Sequence, residues 1–180
     1  YNQAEDLYLK IIKLNDKYIN AFINLGNLKR DLNKFDEAIE LYQKAEIISN
    51  NNPIVYYSLA LAHQGIGNFQ KTISYSKKTL EINPNFTRAD LLISQSTKYQ
   101  ENDEHYHSLK KKIVSMKAKS FEMVDLCFSL SKAEEDLKNI EEASKYMVNG
   151  NKIKKELIKY DVKEDLNLIR NIQEKFDKLN

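Results

Sequence analysis

The stretch that decides the fold runs from Phe22-Ile23-Asn24-Leu25-Gly26 to Ala38-Ile39-Glu40-Leu41-Tyr42-Gln43-Lys44-Ala45, because its residue types return every 34 positions. Leu25, Leu59 and Ile93 keep that step, as do Gly26, Ala60 and Ser94, then Ala4, Ala38 and Thr72, then Tyr8, Tyr42 and Ser76, and Phe35 with Phe69. A fixed period of this size marks a stacked supersecondary unit. Small residues at Gly26, Ala38, Ala60 and Thr72 let two antiparallel helices approach, while Leu25, Phe35, Tyr42 and Leu59 fill the space beside them. Turns are expected at Asn33 and Gly67 within a unit and at Asp16, Asn50 and Pro84 between units.

Working outward, four glycines and two prolines in 180 residues leave long runs of good helix formers. The expected fold is all-α, a right-handed α-solenoid of antiparallel helix pairs. The 28 basic and 26 acidic residues are interleaved and give a net charge of +2, without the excess that nucleic acid or an anionic membrane surface requires. The reading is therefore no nucleic acid and no membrane; the N-terminus has no signal-peptide plan and no window approaches the ~20 apolar residues of a span. The single cysteine, Cys127, allows no internal disulfide and no cysteine cage for a metal, which suits a reducing cytoplasm. Helical patterning is already under way at Tyr1, so the chain is expected to be a piece of a longer protein.

With Phe22-x-x-Leu25-Gly26 and Ala38-x-x-x-Tyr42-x-x-Ala45, and with Tyr56-x-x-Leu59-Ala60 through Pro84, the sequence resembles the tetratricopeptide repeat family. That resemblance implies a superhelix whose inner face holds a peptide or protein partner. Thr72 and Thr79 stand where alanines are usual and are expected to loosen their helix pair. The units read as a partial repeat at 1–18, repeats at 19–52 and 53–86, an irregular repeat at 87–119, a repeat at 120–159 and a capping helix at 160–180. The segment around His105 to Met116 has no small residue at the expected place and is longer than the repeat allows. Leu130-Ser131 and Ala143 restore the spacing of Leu25-Gly26 and Ala38, three residues out of phase with Thr72.

The run Leu126-Cys127-Phe128-Ser129-Leu130-Ser131-Lys132-Ala133-Glu134-Glu135-Asp136-Leu137, with Glu142-Ala143, Gly150-Asn151, Lys154-Lys155 and Tyr160-Asp161, is similar to the last repeat before the sulfotransferase domain of bacterial proteins of that type. The resemblance implies a scaffold arm with a catalytic domain beyond Asn180; the alternative is a free-standing adaptor. No cofactor is expected in this chain, and the sulfuryl donor PAPS would enter only with such a domain, because none of Gly26, Gly65, Gly67 or Gly150 sits in a phosphate loop. Asp161 is placed to cap a final amphipathic helix carrying Leu166, Ile169, Ile172, Phe176 and Leu179, expected to close the solenoid's open end.

Candidate chemistry is sparse, and no nucleophile, base and anion loop come together. His105 and His107, two apart, point to different faces of a helix and read as boundary histidines, not metal ligands. His63 reads as a groove or packing residue. Lys110, Lys111, Lys112, Lys117 and Lys119 read as a solvated face balanced by Glu101, Asp103, Glu104 and Glu122, and Cys127 as a buried small hydrophobe. The functional lead is the inner face, formed by first helices: Asn20, Ile23, Asn24, Asn27 and Arg30, then Ile54, Tyr57, Leu61 and Gln64, then Arg88, Leu91, Gln95 and Lys98. Amides beside aliphatics suit an extended peptide. The register that clamps acidic chaperone tails falls on Ile23, Asn27, Ser58, Arg88 and Leu92, which keeps two of five groups, so no such tail is expected to bind.

Overall fold

The computed structural model describes residues 2–116, 119–159 and 161–177, with the side chains of Asn2, Glu164 and Asp177 left aside. Lys117, Tyr160 and Leu179, used above, lie outside the described residues. Ten helices and no strand are found among the described residues: α1 (Asn2–Leu14), α2 (Ile19–Asp31), α3 (Phe35–Ile48), α4 (Pro53–Gly65), α5 (Phe69–Ile82), α6 (Thr87–Ser96), α7 (Glu104–Ser115), α8 (Phe121–Asp136), α9 (Ile140–Ile158) and α10 (Val162–Asp177). None is long and apolar enough to cross a membrane.

Two regular pairs, α2 with α3 and α4 with α5, show what the period encodes. A Cβ on Gly26 would lie 2.4 Å from the ring of Tyr42, itself fully buried, so only glycine lets α2 and α3 close to this distance. Each pair turns on a left-handed residue, Asn33 at φ 59° and Gly67 at φ 76°. The following N–H then bonds five residues back, Lys34 to the Lys29 carbonyl at 2.9 Å and Asn68 to that of His63 at 2.8 Å, the Schellman closure that satisfies a helix's last carbonyls. Asn52 caps α4 at the Ile54 N–H (2.9 Å) with Pro53 in the first turn, and Asn68 caps α5 at that of Lys71 (3.2 Å). Thr72 and Thr79 do not loosen their pair. Both are fully buried, and their hydroxyls donate to the Asn68 and Tyr75 carbonyls at 3.0 Å, so the helix itself satisfies them.

The first helices start at Ile19, Pro53, Thr87 and Phe121, each 34 residues after the last. The phase is thus intact where the fourth unit begins, and the three extra residues do not lie in the segment around His105. They lie in α8, which has 16 residues against 13 in α2 and α4, so the insertion is absorbed as nearly one helical turn. The next left-handed turn, Lys138 at φ 64°, comes three positions later than two periods after Gly67, and the Asn139 N–H closes it on the Glu134 carbonyl at 2.8 Å. Ser131 replaces the pairing glycine and donates its hydroxyl to the Ala143 carbonyl at 2.8 Å.

The third unit is irregular in another way. Its expected turn position, Glu101, lacks the left-handed backbone, α6 stops after 10 residues, and no Schellman bond closes it. The backbones of α6 and α7 do not pack on one another; α6 lies directly on α8 instead. Ionic groups take the place of the missing small-residue contact. Lys112 of α7 reaches both oxygens of the fully buried Asp90 of α6 at 2.8 and 2.7 Å. On the other side Lys110 and Tyr106 (2.9 Å) converge on Glu134 of α8, which is 1% exposed and also accepts from Asn139 at 2.9 Å. Lys110 and Lys112 are therefore structural partners and not the solvated face expected of the lysine run; only Lys111 of the three is exposed. Leu109 completes the attachment within a small core of Tyr99, Leu126, Leu130 and Ala133.

Among the described residues, α10 does not make the capping contact expected of it. Leu166, Ile169, Ile172 and Phe176 are all at least half exposed. At 19 residues α9 runs ~4 Å past the 16 of α8, and Lys159 then turns left-handed (φ 51°), so the chain emerges beyond the helix it would have covered.

His63 is a packing residue: it is 3% exposed and stacks on Tyr75 with ring centroids 5.5 Å apart. Neither ring nitrogen has a hydrogen-bond partner in the structure. Burial, aided by the charge of Lys71, holds its pKa below the usual 6.5. The unfolded chain therefore takes up the proton first, and stability is lost as pH falls below about 6.5. The melting temperature is expected to fall between pH 7.5 and 5.5 by more in the native chain than in His63→Phe; parallel profiles would refute this.

Candidate peptide-binding groove

The first helices α2, α4, α6 and α8 touch one another in succession and so form one layer, the one expected to be inner, and the 34-residue step arranges its side chains in rows. One row runs Asn20, Ile54, Arg88, Glu122; the next Ile23, Tyr57, Leu91, Asp125; then Asn27, Leu61, Gln95, Ser129; then Arg30, Gln64, Lys98, Lys132. Contacts across the seams tie the rows together. Gln64 donates to Gln95 at 3.3 Å, the Tyr57 and Phe86 rings lie 4.9 Å apart, and Thr87 donates to Asp125 at 2.8 Å.

Of the residues expected to face the groove, Asn20, Asn24, Ile54, Arg88, Gln95 and Lys98 are exposed, and Asn27, Arg30, Tyr57, Leu61, Gln64 and Leu91 are half-buried. Ile23 is not available. It is 6% exposed and belongs to the main core with Phe22, Tyr42 and Leu59, because the tight approach of α2 to its neighbours closes over it. Asn27 serves two purposes, since its side-chain oxygen accepts from the Tyr42 hydroxyl at 2.8 Å. That phenol is otherwise buried, and burial pushes its pKa up to about 12. Burial likewise raises that of Tyr57, against the nearby positive charge of Arg88.

The rows also bring in side chains that the sequence reading left out, Glu122, Asp125 and Lys132 of α8, and Phe128 lies beside them in the wall of one cavity. The signal was present, because one further step of 34 from Arg88, Leu91 and Lys98 lands on Glu122, Asp125 and Lys132. It was missed because the fourth unit was aligned on Leu130-Ser131, beyond the inserted turn. Two cavities open along the seam they form. One, of about 290 Å³, lies between Phe86, Arg88, Phe121, Glu122 and Asp125. The other, of about 450 Å³, is lined by Leu91, Gln95, Phe128, Lys132, Met147 and Asn151. Asp125 is half-buried with the Thr87 hydroxyl as its donor, and burial lifts its pKa above the usual carboxylate value.

A chain of polar groups elsewhere has the look of a proton relay but a structural setting. His105 approaches Asp90 at 3.1 Å and the Tyr99 hydroxyl at 2.7 Å, and that hydroxyl meets Ser94 at 2.7 Å. Asp90 is fully buried, Tyr99 is 3% exposed, and every group is committed to joining α6 to α7. His107 is exposed and apart from His105, and no cluster of three metal-ligating side chains occurs among the described residues. Cys127 is fully buried with the Asn149 amide 3.6 Å from its sulfur, and burial pushes its thiol pKa up, away from nucleophilic use.

Comparisons with known proteins agree with this architecture. A TPR repeat model matches residues 26–67, and a tetratricopeptide repeat model matches 54–86. Sperm-associated antigen 1 of Homo sapiens is 26% identical over 98 residues, 54% of this chain and 11% of that protein. The small glutamine-rich tetratricopeptide repeat-containing protein of Dictyostelium discoideum is 33% identical over 66 residues, 37% of this chain and 20% of its own length. The chain thus matches a fifth or less of either curated relative. Among solved structures, MamA superposes with a TM-score of 0.67 at 22% identity, covering 87% of this chain and 90% of that one. YrrB, described as a TPR protein with an unusual peptide-binding site, superposes with 0.63 at 18% identity, covering 84% and 77%. This chain is an α-solenoid that carries tetratricopeptide repeats across residues 26–86.

Proposed function

We propose that the inner layer of α2, α4, α6 and α8 is a groove that holds an extended peptide segment of a partner protein, and that the chain acts as an interaction scaffold with no catalytic step of its own. The observation that carries this reading is the run of amide side chains on that layer. Asn20, Asn24 and Gln95 are exposed and Asn27 and Gln64 are half-buried, interspersed with Ile54, Tyr57, Leu61 and Leu91. Amides offer a donor and an acceptor each, which matches the backbone of an extended chain, and the apolar positions between them suit alternate side chains. The likeness to YrrB supports the same use of the fold.

The test is a selection of random twelve-residue peptides on the immobilised protein, followed by photo-cross-linking of the recovered sequences through a benzophenone. Adducts are expected on α2, α4, α6 and α8. Adducts confined to α3, α5 and α7, or no recovered binder, would sink the reading. Attachment of this arm to a sulfotransferase is a separate proposal supported by the resemblance of residues 126–161 alone; reading the gene past Asn180 for a strand followed by a phosphate loop tests it.

A further inference from the structure

We propose that the α6–α8–α9 cavity is the specificity pocket of this groove, taking an apolar side chain of the partner peptide that is flanked by carboxylate side chains. This rests on the groove reading above. The floor of the cavity is apolar. Leu91 and Phe128 are half-buried, and Met147, 45% exposed, leaves its thioether at the mouth. Phe128 is seated there by Gly150, where an added Cβ would lie 2.9 Å from the ring. A cavity of about 450 Å³ falls within the ~300–1,000 Å³ of pockets that take small ligands, room for one aliphatic side chain with its adjoining backbone. Methionine at such a surface adapts to differently shaped aliphatic guests.

The one charged residue that lines the cavity is a cation. No carboxylate lines the cavity; its polar residues are Gln95, Lys132 and Asn151. Lys154 lies over the Phe128 ring, its Nζ 6.0 Å from the centroid. Lys98 is exposed on the segment leaving α6, next to Tyr99, whose N–H bonds Asp136 at 3.1 Å. Asp136 in turn holds Lys132 at 2.5 Å. Of these three ammonium groups only Lys132 is paired, and Lys98 and Lys154 have no ion-pair partner among the described residues. Carboxylates flanking the anchor complete that balance, with an attraction that weakens as salt rises.

The probes are the peptides recovered in the selection, resynthesised with amidated C-termini and labelled with fluorescein. They are expected to share an apolar residue within two positions of an Asp or Glu. Replacing that acid by its amide is expected to weaken binding at least about fivefold, and replacing the apolar residue by serine at least about tenfold. On the protein, Met147→Ser is expected to cost about tenfold and Lys154→Glu about fivefold, the latter shrinking at high salt. Both positions are exposed, so unchanged melting curves are expected and loss of fold does not cloud the result. Peptides that cross-link to the inner layer yet ignore both variants would overturn the pocket and leave the groove standing; failure to cross-link there removes both.

Discussion

Asp90→Ala is expected to lower the free energy of unfolding by about 3–5 kcal/mol, because it strips the buried anion from Lys112 and His105 together. The loss comes less from the attraction forgone than from the ammonium left behind. The Lys112 side chain is 21% exposed, and with Asp90 gone it must stay dehydrated without a counter-charge or pull α7 outward. The damage is expected to be local: amide hydrogens of residues 104–115 should exchange faster, while those of α2 to α5 keep their protection, since coupling in a stacked array passes only between neighbours. Adding Lys112→Met to Asp90→Ala should recover part of the stability. A single variant that loses less than about 1 kcal/mol would show that the ion pair is solvated and that Leu109 alone holds the helix.

Gly26→Leu is expected to have a comparable effect through a different cause. Even the first added carbon would sit 2.4 Å from the Tyr42 ring, and that ring is enclosed on every side and tethered to Asn27. The helix gains a little from losing a glycine, ~1 kcal/mol at most. Against that, overpacking costs ~1–3 kcal/mol in a typical core and more where nothing can retreat. Urea unfolding followed by circular dichroism should show a loss of at least about 2 kcal/mol, with part of it restored in Gly26→Ala combined with Tyr42→Leu. A Gly26→Leu protein as stable as the native chain would mean that α2 and α3 slide apart at little cost.

These two positions also mark how far the sequence could be read. Gly26 announces its role, because a small residue returns at Ala60 and a large one faces it at Tyr42, and periodicity alone dictates a close helix crossing. Asp90 announces nothing. It falls among ordinary exposed-looking polar residues, and its partners His105 and Lys112 lie 15 and 22 residues on, in a helix whose place depends on a turn that fails to form. Long-range ion pairs have no period, so the lysine run looked like a solvated face. In the groove, Asn24 and Gln95 stand exposed and Tyr57 half-buried, Ile23 is not available, because packing closes over the row, and the row was cut short at α8. There the inserted turn shifts the pairing residues but not the helix start, so the two signals disagree by three residues and only the start keeps the groove in register.

The direct packing of α6 on α8 has a mechanical consequence. In a regular stack every second helix is a link in the chain of contacts, and breaking one uncouples everything beyond it. Here α7 hangs beside the line of contact as a branch. Tension applied across the solenoid would run from α5 through α6 into α8 and bypass it, so α7 can come and go while the two halves of the array stay joined.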